Sequence, residues 1–422
     1  MKNKLISFAV LLCGVLCLFT CNALKQLEPG KPIKVGILHS LTGTMAISEN
    51  SVKDATLFAI EEINAQGGLL HRKIVPIVAD GRSEGAVFAR EAERLILEEK
   101  VSVVFGCWTS ASRKTVKPVF ERHHHLLFYP VQYEGLEQSP NIVYTGAAPN
   151  QQIIPAVKWA FENLGKRVFL VGSDYVFPRV ANEIVRDQAA ILGGQIVGEE
   201  YLPLGSQDVK ELTKKIAAAR PAVIVNTING DSNVAFFRAL AKLRKNPGEM
   251  PTMSFSIAEE ELRFLDPASL AGDYACWNYF QSIDSERNRT LVNSFKNRFG
   301  KERVMDDPLE AAYFGVYLWA QAVVEAGTEN VHEVRKTLPG QSFDAPEGIV
   351  VIDPYSSHTW KTVRIGKIRP DGQFEIVWSS EKPIPPVPYP LSRSHAEWNQ
   401  FLDQLYRGWG NRWANPSSRQ TN

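Results

Sequence analysis

The sequence predicts an α/β protein in which two doubly wound parallel-sheet units follow one another along the chain. Three observations predict this fold class: strands and helices alternate, the strands are continuous apolar runs, and the pattern restarts after Pro149. Continuous apolar strands are typical of parallel sheets that helices cover on both faces. The 422 residues suffice for two domains with cores of their own.

The first unit begins with the strand IKVGIL (33–38), followed by a helix with apolar residues at helical spacing that ends at Gly67 and Gly68. The strand KIVPIVAD and a helix over roughly 83–99 come next. The strand VSVVFG, a helix through Arg113 to Glu121 and the strand LLFYP complete this unit.

The second unit contains the strands RVFLVG, QIVGEEYLPL, AVIVNTI and MPTMSFSI, with helices predicted from about Pro178, Val209 and Asp231. The strand DYACWNYF and the long helix DPLEAAYFGVYLWAQAVVEAG come later. Turn signals at Asp353-Pro354 and Asp371-Gly372 predict antiparallel strands between residues 347 and 378. The remaining residues, rich in proline, arginine and tryptophan, predict an extended segment and a short helix, HAEWNQFLDQLY, lying against the body.

The amino terminus predicts a secretory signal peptide over residues 1–23. A short positive start precedes a nearly continuous apolar stretch from Leu5 to Phe19, which is shorter than the ~20 residues of a membrane-spanning helix. Cleavage is expected after Ala23. The segment LFTC (18–21) is an imperfect lipoprotein box, so lipidation of Cys21 stays an open alternative. We expect the mature chain to be exported and not to span a membrane.

Charge, cysteine usage and motifs exclude several classes of function. The net charge is +1 with interspersed signs, which disfavours a nucleic-acid partner. Cys107 and Cys276 lie in or beside apolar runs and predict buried thiols, with a disulfide between them left open. The run His123 to His125 is interpreted as a solvated turn rather than a metal site. No phosphate-binding loop, nucleophile elbow or dinucleotide fingerprint is present, and no cofactor is expected.

Aromatic and neutral hydrogen-bonding side chains follow the strands, where open parallel sheets bind their ligands. Such groups suit a small, uncharged, polar ligand in an apolar pocket. Taken singly, Ser110, Ser112 and Asp231 are also interpretable as helix caps, and Tyr133 and Trp277 as core aromatics. The candidate ligand-binding residues are Trp108, Ser110, Tyr129, Val131, Gln132, Tyr133, Asp174, Tyr175, Thr227, Asn229, Asp231 and Trp277.

Seven stretches of the chain carry a family resemblance. They are HSLTGTMAISE (39–49), GCWTSASRK (106–114), LLFYPVQYEG (126–135), YTGAAPNQQ (144–152), GSDYVFPR (172–179), NTINGDSNV (226–234) and WNYF (277–280). Together they resemble type 1 periplasmic substrate-binding proteins of the branched-chain amino acid and amide group. Most narrowly, the chain resembles the urea-binding components of urea ABC transporters, over roughly residues 31–385.

The resemblance implies two lobes joined by crossover strands, with urea or a short neutral amide in the interlobe cleft. Residues 31–148 plus 280–345 would form the N-terminal lobe, and 149–279 plus 346–385 the C-terminal lobe. Residues 386–422 would form an extension, longer than expected of a simple transporter component, which either wraps the body or docks a partner.

The resemblance also implies how the site works. Urea offers four N–H donors and one acceptor, so acceptor oxygens should surround it and Trp108 or Trp277 should cover its plane. ABC permease subunits are the expected partners, and the periplasm or the outer face of the cytoplasmic membrane the expected location. The alternatives are a sensor subunit for urea or a short-chain amide, and an amide hydrolase.

Overall fold

The protein is described by a computed structural model that covers residues 30–416. The predicted signal peptide and Cys21 lie outside the described residues. Within them, no helix has the length and apolar character needed to cross a membrane.

The first lobe is built on a five-stranded parallel sheet in the order β2-β1-β3-β4-β5. Its strands are β1 (Ile33–His39), β2 (Ile74–Asp80), β3 (Val104–Gly106), β4 (Leu127–Tyr129) and β5 (Ile142–Tyr144). Its first helices are α1 (Ala46–Ala65), α2 (Gly85–Leu97) and α3 (Ser110–Arg122). Neighbouring strand residues face opposite sides: Leu38 packs with Phe88 and Phe120 of α2 and α3, whereas Ile37 packs with Ile60 of α1. Both faces are covered, which explains the continuous apolar strands.

The second lobe contains a seven-stranded sheet whose first five strands in sequence are parallel. These strands are β6 (Arg167–Ser173), β7 (Gln195–Leu202), β8 (Val223–Thr227), β9 (Thr252–Ser254) and β10 (Tyr274–Trp277). The helices are α4 (Ile153–Asn163), α5 (Val176–Leu192), α6 (Lys210–Ala219), α7 (Ser232–Leu243) and the single turn α8 (Glu259–Leu262).

After β10 the chain returns to the first lobe. The returning elements are α9 (Glu286–Phe299), α10 (Asp307–Ala326), α11 (Val331–Thr337), β11 (Ser342–Ala345), β12 (Gly348–Ile352) and β13 (Thr359–Trp360). Val350 and Ile352 share a core with Val35. The predicted division placed residues 346–385 in the second lobe, but the apolar face of β12 fills the first core, so the chain crosses back only after Trp360.

The last two strands, β14 (Arg364–Ile368) and β15 (Phe374–Ser379), extend the second sheet to the order β15-β14-β10-β9-β8-β6-β7. Both pairings are antiparallel, which confirms the interpretation of the Asp371-Gly372 turn. The predicted C-terminal helix is α12 (His395–Gly408), and its Trp398 and Leu402 are buried in the core of the second lobe. The type I fold with two α/β lobes is therefore confirmed.

One side chain links all three crossings between the lobes. Asn278, on the second crossing, donates from Nδ2 to the carbonyl oxygen of Gln151 on the first (3.2 Å) and of Thr362 on the third (3.1 Å). The backbone amides of Asn278 and Tyr279 both donate to Asp307 Oδ2, at the start of α10. The hinge is therefore a single hydrogen-bonded unit.

The interpretation of the histidine run was wrong in part. His124 is exposed, but His125 is buried and its Nε2 lies 2.7 Å from the carbonyl oxygen of Val101. Burial lowers the pKa of His125, so the ring belongs to the packed interior. Cys107 and Cys276 are both buried free thiols, as predicted.

Candidate functional site

The carboxyl ends of the two sheets meet across a cavity of about 580 Å³. The first lobe contributes Ser40, Thr44 and residues from the start of α3, and the second contributes Asp174 and Tyr175. Helix α3 begins beside this cavity because Thr109, not Ser110 or Ser112, is its N-cap: the Thr109 hydroxyl accepts from the amide of Ser112 at 3.0 Å.

Direct hydrogen bonds join the lobes next to the cavity. Trp108 Nε1 donates to Asn229 Oδ1 at 3.3 Å, and Gln132 Nε2 donates to the carbonyl oxygen of Phe255 at 2.6 Å. The Thr44 hydroxyl donates to Asp231 Oδ1. Asp231 stands at the N-cap of α7 without capping it, so its carboxylate serves this contact instead.

A glycine permits the close approach of the two lobes. Gly230 has φ of +68°, and a Cβ at this position would lie 2.8 Å from the Thr44 hydroxyl oxygen. A side chain would therefore be strained locally and would also push against the first lobe.

Ser110 does not face the cavity; it belongs to a buried charge cluster. Its hydroxyl donates to Glu134, and Arg113 Nη1 donates to it at 3.0 Å. Arg113 also bonds Glu134 at 3.2 Å and Glu137 at 2.9 Å, and Lys114 Nζ lies 3.0 Å from Glu137 Oε2. Burial alone would raise the pKa of Glu137, but Lys114 and Arg113 outweigh it and hold that pKa far below its usual range.

Two of the candidate aromatics also serve this cluster. The guanidinium of Arg113 lies 4.7 Å from the ring centroid of Tyr129 and 4.4 Å from that of Tyr133. The Tyr129 hydroxyl donates to the carbonyl oxygen of Trp108 at 2.5 Å, and the Tyr133 hydroxyl pairs with His358. Tyr129 thus holds the Trp108 loop in place, whereas Tyr133 ties the cluster to His358.

Three other candidates are packed within the lobes. The Thr227 hydroxyl donates to the carbonyl oxygen of Val171 at 2.8 Å, inside the second sheet. Trp277 Nε1 donates to the carbonyl oxygen of Ile257 at 2.7 Å, and the ring lies in the core of the second lobe. Val131 is buried against Gly146, where a Cβ would lie 2.1 Å from the Val131 carbonyl carbon.

Sequence reasoning missed a buried pair in the first lobe. His39 Nδ1 lies 3.1 Å from Glu49 Oε2, and neither residue is exposed. Their other polar atoms, His39 Nε2 and Glu49 Oε1, have no hydrogen-bond partner among residues 30–416. Both residues fall in the stretch 39–49, which carried the family resemblance but was not assigned any chemistry.

A second interlobe contact was also missed. Ser48 and Ser51 of α1 donate to Glu261 (2.6 Å) and Glu260 (2.7 Å) of α8. Burial raises the pKa of Glu259 to about 8 and that of Glu261 to about 7. The acidic segment IAEEE would be predicted to be exposed from the sequence alone. In the structure it is buried where the second lobe packs against the first. No cluster that could hold a metal ion occurs within the described part of the chain.

The chain matches the family of the periplasmic binding protein domain over residues 33–395. It belongs to this family. Its lobes, hinge and interlobe cavity are therefore those of a periplasmic binding protein, and the family implies an exported, periplasmic protein.

The names of similar proteins state different ligands. The Leu/Ile/Val-binding protein homolog 6 of Brucella melitensis is 21% identical over 347 residues, covering 80% of this chain and 87% of that protein. The solute-binding protein of an ABC transporter from Rhodopseudomonas palustris BisB5, solved in complex with 3,4-dihydroxybenzoic acid, superposes with a TM-score of 0.76. It is 20% identical, and the match covers 82% of this chain and 97% of that one.

A shorter match carries an enzyme's name. A segment of 118 residues, 28% of this chain, is 37% identical to Limonene hydroxylase of Geobacillus stearothermophilus. The match spans 22% of that protein.

Proposed function

We propose that this protein captures urea, or a short neutral amide, in the interlobe cavity and delivers it to an ABC permease. The observation that carries the proposal is that the positively charged side chains of the lobes beside the cavity are already paired with carboxylates. Among the cavity-lining residues of the two lobes, Lys114 is the cation, and its ammonium is paired with Glu137. Arg113 is fully buried between Glu134 and Glu137.

One backbone donor at the helix start that faces the cavity is also occupied. The Thr109 hydroxyl takes the Ser112 amide of α3, which is one of the donors that a carboxylate would otherwise use. A benzoate or an amino acid therefore finds no spare positive charge in the two lobes, and Arg412, the other cation that lines the cavity, is exposed to solvent. This argument favours a neutral ligand over the anionic or zwitterionic ligands named for the similar proteins.

The groups at the lobe junction favour a ligand that is rich in donors. Gln132 is buried, and its Oε1 has no partner within residues 30–416. Asn229 presents a carbonyl oxygen to Trp108, whose ring lies at the junction. Urea is flat and has four N–H donors, so amide oxygens and an aromatic face match its chemistry.

Capture follows from hinge closure. A ligand that contacts both lobes binds the closed state more tightly than the open one, and so shifts the population toward closure. The hydrogen-bonded hinge around Asn278 allows the lobes to move as rigid bodies about the three crossings.

Calorimetric titration of the chain expressed from Leu24 with urea, acetamide, leucine and 4-hydroxybenzoate tests the proposal. We expect one-site binding of urea, weaker binding of acetamide, and no heat from the two carboxylates. Recovery of unchanged urea without ammonia release would support binding without hydrolysis. Binding of leucine or 4-hydroxybenzoate in place of urea would contradict the proposal.

A further inference from the structure

Residues 411–416, here called the terminal strap, line one side of the interlobe cavity. The preceding extension fixes their position. Ser394 caps α12 with a full capping box, and Trp398 of this helix is buried in the second lobe. Arg393 bonds Asp187 of α5 through Nε at 2.9 Å and Nη2 at 2.6 Å. The strap thus starts from a helix that is anchored on one lobe.

The terminal strap pairs with residues 174–176 of the second lobe, which include the candidate ligand residues Asp174 and Tyr175. The amide of Val176 donates to the carbonyl oxygen of Trp413, and the amide of Asn415 donates to that of Asp174, both at 3.0 Å. Asn415 Nδ2 donates to Asp174 Oδ2 at 2.6 Å. Arg179 holds the other oxygen, Oδ1, at 2.7 Å from Nη2. Both carboxylate oxygens of Asp174 are therefore engaged, one of them by the strap.

The terminal strap also reaches the first lobe. Lys114 Nζ lies 5.0 Å from the ring centroid of Trp413, on the cavity side of α3. Tyr406 of α12 supports the same ring from a centroid distance of 4.5 Å. One short segment therefore touches both lobes and lines the cavity between them.

We propose that the terminal strap is the outer wall of the ligand site and limits the size of the solute that reaches it, with Trp413 and Asn415 as specificity-determining residues. This rests on the proposed capture of urea. A compact solute passes the strap, whereas an alkyl-substituted urea collides with the Trp413 ring. Because the Asp174–Asn415 pairing closes this side of the cavity, the strap also slows the entry and exit of urea.

Stopped-flow and calorimetric measurements on three proteins test this inference: the full chain, a chain that ends after Gly410, and the double variant Trp413→Ala/Asn415→Ala. All three keep α12. We expect both altered proteins to bind and release urea about tenfold faster than the full chain, as for removal of a lid. We also expect them to bind N-butylurea, which the full chain rejects. Leu391→Ala, at a tail position that is 91% exposed, should match the full chain.

A labelling experiment tests the terminal strap without any ligand. Thr115 lines the cavity, and the two natural cysteines of the described chain are buried. Thr115→Cys should react faster with a bulky thiol reagent in the chain that ends after Gly410 than in the full-length background. Equal labelling rates, or unchanged urea rates with continued rejection of N-butylurea, would overturn the inference. If the full chain does not bind urea but labelling is still faster after truncation, urea is refuted as the ligand. The terminal strap then remains supported as the outer wall of the cavity.

Discussion

Trp108 of the first lobe donates a hydrogen bond from Nε1 to Asn229 Oδ1 of the second, at 3.3 Å. The bond joins the loops that follow β3 and β8, and both residues are buried. Because this contact exists only when the lobes meet, these loops report closure directly. The Arg113 cluster supports the Trp108 loop through the hydroxyl of Tyr129.

Replacing Gln132 by leucine should weaken urea binding. The change removes the bond to the Phe255 carbonyl oxygen and leaves that oxygen only the long 3.5 Å bond from Gln152 Nε2, a cost of about 1–3 kcal/mol. Titration calorimetry should therefore show about a tenfold or greater loss of affinity. The control is Gln195→Leu, at an exposed position on β7, and equal affinities for the two variants would argue against the role given to Gln132.

Replacing Gly230 by alanine should disfavour the closed state. Its φ of +68° strains any Cβ, and that Cβ would also meet Thr44 across the lobe junction. Gly327→Ala is a matched control, because φ there is +65° but nothing lies within 4 Å of the added Cβ. Both variants should lose about 1 kcal/mol of stability to strain. Only Gly230→Ala should also weaken urea binding, and a loss of affinity in Gly327→Ala as well would undermine the interlobe explanation.

Replacing Arg113 by methionine should destabilise the first lobe strongly. The variant leaves the carboxylates of Glu134 and Glu137 buried without the guanidinium that neutralises them. Removing one partner of a buried ion pair costs about 3–5 kcal/mol of stability. Unfolding should be followed in guanidinium chloride, since urea is the proposed ligand. Arg90→Met, with a side chain that is 62% exposed, should change the free energy of unfolding by less than about 0.5 kcal/mol. A similar small effect at Arg113 would refute a structural role for the cluster.

Glu259, a buried carboxyl of α8 that accepts from the amide of Gln281, should make stability depend on pH. Burial raises the pKa of Glu259 to about 8, so its protonated form stabilises the folded state. That stability is fully present below the unfolded pKa, near 4.5, and is lost as the pH rises through 8. Between these values the group lowers the free energy of unfolding by up to ~1.4 kcal/mol per pH unit.

Thermal unfolding of Glu259→Gln and the natural chain between pH 5 and pH 9 measures this contribution. The natural chain should lose more stability over the range than the variant does. Glu333→Gln is the control, because that carboxylate lies on the surface and the profile should not change. Parallel profiles for the natural chain and Glu259→Gln would show that Glu259 does not cause the pH dependence of stability.

The sequence predicted the fold well because continuous apolar strands and turn residues carry that information locally. The structure brings the loops of Trp108, Gln132 and Asn229 together at the junction, and their role in binding a ligand stays a prediction. Ser110 was placed wrongly within the structure, since its partner Glu134 lies in another loop and only the fold brings the two together. The predicted lobe boundary before β12 differs from the structure for a similar reason. An apolar strand could pack in either core, and only the topology places β12 in the first.

The acidic residues of α8 show the same limit. A run of three glutamates indicates an exposed turn, and nothing local reveals that Ser48 and Ser51 meet it from more than 200 residues away. The engagement of Asp174 by Asn415 likewise depends on the path of α12.

The central claim is that the two lobes enclose a neutral, flat solute. A crystal structure of the chain grown with urea tests it most directly. The account predicts urea in the interlobe cavity, beside the junction that Trp108, Gln132 and Asn229 form, with its N–H groups on oxygen acceptors and no lobe cation in contact. Urea absent from the cavity at saturating concentration, or a carboxylate ligand retained there instead, would contradict it.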